Sequence, residues 1–207
     1  RLLLERREHF AMFGGVRFGS AITYDGAKEL GFDHIALAMG AGAPTLIDMP
    51  NAMARGVRMA SDFLMALQLT GAAKKDSIAN LQLRLPAIVI GGGLTAIDTA
   101  TEALAYYPVQ VEKFKARYDA LAVKPEWKGE EAEIAREFLA HAEAIAAERA
   151  KAKQENRAPN FLPLLNNWGG VKLVYRKRMQ DAPSYRLNHE EVEKALEEGN
   201  AVCEGLE

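Results

Sequence analysis

The segment that most restricts the fold is LPAIVIGGGLTAID, from Leu85 to Asp98. An apolar, β-branched run, Ala87-Ile88-Val89-Ile90, enters three glycines and leaves into a stretch holding Ala96, Ala100, Ala103, Leu104 and Ala105. A short apolar run bounded by glycine suits a buried strand, and the alanine-rich stretch suits a helix ending near Tyr107. Strand, tight turn and helix together open a βαβ unit, and with it a parallel sheet. The expected fold class is therefore α/β.

The glycine spacing adds chemistry. Gly91, Gly93 and Ala96 stand at the spaced positions of G-x-G-x-x-G/A, with Gly92 between the first two. Gly91 would make the turn, Gly93 would admit a pyrophosphate close to the backbone, and Ala96 would let the helix pack on the strand. The backbone at Leu94 and Thr95 would then meet the anion at the helix N-terminus, where unpaired N–H groups and the dipole favour negative charge. Glycine triplets also occur in ordinary loops, but the flanking strand and helix favour the nucleotide reading. No Lys-Ser or Lys-Thr closes the turn, which argues against a P-loop.

The remaining composition narrows the function classes. A net charge of −2 gives no basic footprint for nucleic acid or an anionic membrane. The single cysteine, Cys203, precludes an internal disulfide and a cysteine-built metal site. His9, His34, His141 and His189 show no metal-ligand spacing, so each reads as a packing or surface residue and no metal is expected. No apolar stretch reaches the ~18 residues of a membrane span, and Leu2-Leu3-Leu4 is too short for a signal core. A cytoplasmic location is expected. The chain opens at Arg1 without a methionine and reads as a piece of a longer polypeptide.

Along the chain, residues 1–13 read as a short helix, 16–18 and 21–23 as strand fragments, and 25–30 as a second helix. Residues 34–39 form an apolar run expected as a strand buried on both faces. It ends in Gly40-Ala41-Gly42-Ala43-Pro44, where Gly40 and Ala41 suit either a ligand at a strand end or simple close packing. Residues 60–70 read as a helix. The gap of about sixty residues between Tyr107 and Gly169 exceeds ordinary connection lengths. Helical spacing over 109–121, a break at Lys124-Pro125 and a strong helix over 130–154 make this an inserted helical hairpin. Val171-Lys172-Leu173-Val174-Tyr175 is the second strand, followed at once by Arg176-Lys177-Arg178. An acidic residue there would hold a ribose 2′-hydroxyl, whereas cations suit a 2′-phosphate. A solvated basic turn balancing Glu190, Glu191 and Glu193 is the alternative. A helix from Asn188 or His189 to Glu198 and a strand from Ala201 close the chain.

Several of these segments resemble the NADPH-binding part of glutamate synthase small-subunit-like flavoproteins. They are the strand–GGG–helix over 88–100, Val174-Tyr175-Arg176-Lys177-Arg178, Asp181-Ala182-Pro183, and Glu190-Glu191-Val192-Glu193-Lys194-Ala195-Leu196-Glu197-Glu198-Gly199. Upstream, residues 31–42 resemble the strand that closes that family's FAD domain, and Met49-Pro50 with 56–64 resembles the link onward. Met39 and Leu94 depart from the family pattern, the insertion is not part of it, and the FAD fingerprint and iron–sulfur cysteines are missing. The resemblance implies a Rossmann-type NADPH domain (85–107 and 169–207), the C-terminal part of a split FAD domain (1–50), a linker (51–84) and the insertion (108–168). It also implies hydride transfer from NADPH to FAD and onward to an electron-accepting domain or subunit. No residue is assigned a catalytic role, because the cofactors carry that chemistry. The rival expectation is a degenerate Rossmann scaffold whose helical insertion docks a partner subunit.

Overall fold

The computed structural model describes residues 6–38, 44 and 46–206. They divide into two compact units, one before residue 46 and one from Leu46 onward.

In the first unit a bridge joins Phe18 to Ile22, and helix α1 follows over Tyr24–Glu29. Thr23 caps it, its hydroxyl accepting from the Gly26 N–H at 3.0 Å. Two expectations fail here. Residues 6–13 form no helix, and residues 34–38 form no strand and are mostly exposed rather than buried. An apolar run becomes a strand only when another strand takes up its N–H and C=O groups, and none pairs with this run among the described residues.

The second unit holds α2 (Ala60–Leu69), β1 (Ala87–Ile90), α3 (Leu94–Ala120), α4 (Glu130–Gln154) and α5 (Leu162–Asn167). It continues with β2 (Val171–Tyr175), a 3-10 turn (Met179–Asp181), α6 (Pro183–Glu197) and β3 (Ala201–Glu204). The strands form one parallel sheet in the order β1-β2-β3. Val89, Val171 and Leu173 are buried in the core, whereas Ile88 and Ile90 are 65% and 48% exposed. One face of the sheet is therefore the core face, as strand alternation requires.

Helix α3 corrects the expected boundary. It does not stop near Tyr107 but runs through Pro108 to Ala120. A proline inside a helix costs about 3 kcal/mol, because an N–H is lost and the ring meets the preceding turn. Burial on both sides of Pro108 offsets this: Tyr107, Gln110 and Val111 are fully enclosed. Gln110 also grips the backbone of Leu83 twice, accepting from its N–H at 2.6 Å and donating to its carbonyl at 2.8 Å. Lys113 donates to the carbonyls of Ala72 at 2.7 Å and Ala79 at 3.0 Å. Burial and the neighbouring Arg117 lower its pKa, against the pull of Asp76. The second half of α3 thus anchors the connector 72–83, and the 108–168 hairpin is continuous with the fingerprint helix.

Helix α4 buries Ala135, Phe138, Ala142, Ile145 and Ala152 on one stripe and packs against α3. Glu130, Glu131 and Glu133 in its first turn and Lys151 and Lys153 in its last complement its dipole. Beyond it, Arg157 pairs with Glu148 through two hydrogen bonds of 2.6 and 3.2 Å. That contact and the Asn160 N–H hold the Glu148 carboxyl down to about 2. His141 stacks on Trp168 with ring centroids 3.7 Å apart, and its Nδ1 meets the Tyr107 hydroxyl at 2.7 Å. It is a packing residue between α3 and α4. Among the described residues, no helix is long and apolar enough to cross a membrane.

Candidate nucleotide site

Parallel pairing, with Ile90 beside Val174, brings the turn after β1 next to the end of β2. The Gly91 N–H donates to the Val174 carbonyl at 3.0 Å. The three glycines and the basic triplet, distant in sequence, therefore share the carboxyl end of one sheet, where open α/β sheets hold ligands.

The glycines are there for different reasons. Gly91 has φ +153°, a conformation side chains rarely adopt, and a Cβ on it would lie 3.1 Å from the Ala96 Cβ. Gly92 lies against the Tyr175 ring: a Cβ there would come 2.5 Å from Cε2. Gly93 is the N-cap of α3 with φ −94° and ψ 168°, open to any residue, and a Cβ on it would meet nothing within 4 Å. Neither backbone nor packing within the described residues requires glycine at position 93.

Around Gly93 the N–H groups of Gly92, Gly93, Leu94 and Thr95 donate to no acceptor among the described residues. The first bonds that close α3 come from the N–H groups of Ala96 at 3.0 Å and Ile97 at 3.3 Å, both to the Gly93 carbonyl. No acidic residue stands in the first turn of α3, in contrast to α4. Ala96, 7% exposed, packs into the core as the fingerprint spacing expects.

The basic triplet divides. Arg178 is engaged by Asp181 through Nε at 2.8 Å and Nη2 at 3.1 Å, a bidentate pair. This contact raises the Arg178 pKa. Asp181 is held below the usual carboxylate range by that hydrogen bond, with lesser help from Lys177 and Arg186. Arg176 and Lys177 are exposed and make no ion pair among the described residues. Gly40 and Ala41 lie outside the described residues.

Three residues at this end of the sheet escape sequence reasoning. Tyr175 packs on Gly92, as described. Ser184, fully buried, donates through its backbone N–H and Oγ to the Gly92 carbonyl at 3.1 and 2.9 Å. Glu204 at the end of β3 accepts from the Met179 N–H at 2.8 Å and ties the 3-10 turn to the sheet. The one signal near Ser184 is Pro183, a favoured first residue of a helix. Helix α6 is two helical pieces broken at Asn188 (φ −157°, ψ 78°): the expected helix from Asn188 or His189 is its second piece, and the piece opening at Pro183 lies outside that expectation.

A groove of about 700 Å³ lies elsewhere, lined by residues including Ala147, Lys151, Ala158 and Leu164. Its Glu148 and Arg157 satisfy each other, and no residue of the glycine turn or the basic triplet lines it. Among the described residues, no group of three or more His, Cys, Asp or Glu is placed to hold a metal ion.

An uncharacterized protein of Rickettsia prowazekii (strain Madrid E) is 44% identical to this chain over 192 residues, which is 93% of the chain and 26% of that protein. The chain thus spans about a quarter of the length of this curated relative. No family model and no solved structure matches it.

Proposed function

We propose that the second unit is the pyridine-nucleotide half of a Rossmann-type domain, selective for NADPH, within an FAD-dependent oxidoreductase. One observation carries the nucleotide reading. Four N–H groups without an acceptor among the described residues surround a glycine that the chain itself does not require, at the same sheet end as Arg176. A pyrophosphate accepts hydrogen bonds from such amides at a helix N-terminus. The sheet order, read from the far edge as β3-β2-β1, agrees with the first half of a doubly wound dinucleotide fold.

Gly93, Leu94 and Thr95 would hold the pyrophosphate, and Arg176 with Lys177 would hold the 2′-phosphate. When bound, the nicotinamide supplies a hydride and the flavin accepts it. This chain's residues hold phosphates and orient the nucleotide. The flavin and an onward electron acceptor rest on the resemblance to glutamate synthase small-subunit-like proteins. Calorimetric titration with NADP⁺ and NAD⁺ tests the nucleotide site. Tighter NADP⁺ binding supports it, equal affinities remove the 2′-phosphate role, and absence of both removes the site. Photoreduction spectra of the full-length polypeptide test the flavin.

A further inference from the structure

The basic segment and the glycine turn are tied together by one buried contact. Tyr175, Arg176 and Lys177 lead out of β2, and a few residues later the chain returns to the turn at Ser184. There Ser184 gives the Gly92 carbonyl two hydrogen bonds, from its N–H at 3.1 Å and from Oγ at 2.9 Å, and the residue is 0% exposed. The Tyr175 ring also bears on Gly92, so closely that a Cβ there would sit 2.5 Å from Cε2. The short span between these two contacts carries Arg176, and the Met179–Glu204 bond ties it to the sheet. The segment that would grip a 2′-phosphate and the amides that would grip a pyrophosphate share a single joint at Gly92.

We propose that Ser184 is a positioning residue that locks these two phosphate-binding elements into one rigid site, and thereby sets the preference for a 2′-phosphorylated nucleotide. This rests on the nucleotide reading above. Two anchors strengthen binding together only if their separation is fixed before the ligand arrives; a loose joint returns part of the gain as lost conformational freedom. Ser184 is enclosed, and its hydroxyl is committed to a carbonyl of the turn, so it acts through the turn and not on the ligand.

The test is Ser184→Ala, which removes the Oγ bond, keeps the N–H bond and places a good helix former in α6. NADP⁺ and NAD⁺ affinities of the full-length polypeptide are measured for the wild type, Ser184→Ala, Arg176→Ala and the double variant, with thermal unfolding alongside. Loss of one net hydrogen bond is expected to lower the NADP⁺/NAD⁺ affinity ratio about fivefold, and the Arg176 and Ser184 losses are expected to be less than additive. A merely structural serine would lower the unfolding temperature, or both affinities alike, and leave the ratio intact; that outcome overturns the proposal. Gly92→Ala disturbs the same joint from the Tyr175 ring and is expected to lower the ratio too. If it leaves the ratio at the wild-type value, the proposal fails however Ser184→Ala folds. Should the wild type bind neither nucleotide, the underlying site reading fails instead.

Discussion

Arg176→Ala removes an exposed cation that has no carboxylate partner among the described residues. A charge-assisted hydrogen bond is worth about 1.5–3 kcal/mol. Exposure to water and salt places Arg176 at the lower end, so NADP⁺ affinity should fall about tenfold. NAD⁺, lacking the 2′-phosphate, should change less than about twofold on the same argument. Arg178→Ala is a different case. Its guanidinium is held by both oxygens of Asp181 at 2.8 and 3.1 Å, and it must leave that partner before serving a phosphate. Its loss should lower NADP⁺ affinity less than about threefold, since the broken ion pair offsets the new one. Asp181→Ala frees Arg178 from its bidentate partner, and it should tighten NADP⁺ by about the same factor. Calorimetry at low and at physiological salt measures all three. The ranking is refuted if Arg178→Ala weakens NADP⁺ as much as Arg176→Ala, or if Asp181→Ala weakens it.

Three further outcomes concern the scaffold. Gln110→Ala strips Leu83 of both hydrogen bonds from a fully buried side chain, and urea unfolding should show a loss of about 2–4 kcal/mol. Gly199→Ala forces a side chain onto φ +94° with its Cβ 2.6 Å from Leu162 Cδ2, which should cost about 1–3 kcal/mol in the same assay. His141 has its pKa lowered below the ordinary 6.5 by burial. The unfolded chain takes up that proton first as pH falls, so the contribution is complete above pH 6.5 and drains below it. Stability measured down to about pH 5 should fall less steeply in His141→Gln than in the wild type, and equal slopes would exclude the effect.

The elements legible in sequence are those whose pattern is local. The strand entering the glycines, the second strand at 171–175 and the helix at 130–154 stand where periodicity and turn residues place them. Helix α3 outruns its expected end at Pro108 because the local cost of proline is visible in sequence, whereas the compensation is not. That compensation comes from Gln110 and Lys113 reaching back to 72–83. The run beginning at His34 departs in the opposite direction. Its apolar residues announce a strand, but a strand exists only with a partner, and partner choice is tertiary. Ser184 is hidden for the same reason: nothing in a Pro-Ser pair says that a carbonyl 92 positions earlier will accept its hydroxyl.

The glycine turn shows how a structure separates causes that a motif merges. Written as a pattern, three glycines carry equal weight. Their surroundings do not. Gly91 is fixed by its backbone angle and by Ala96, and Gly92 is fixed by the Tyr175 ring, so both would be retained in a turn that bound nothing. Gly93 has ordinary dihedrals and no neighbour within 4 Å of a Cβ. Serine or aspartate at that N-cap would satisfy an α3 amide, so glycine there forgoes a local stabilisation that the chain could have had. Aspartate would also set a carboxylate where an anion is expected, and either side chain would occupy the N–H groups that an anion needs. The same reasoning sets Arg176 apart from Arg178, which is already satisfied by Asp181. At both Gly93 and Arg176 the fold leaves room for a ligand, and both lie at the same end of the sheet.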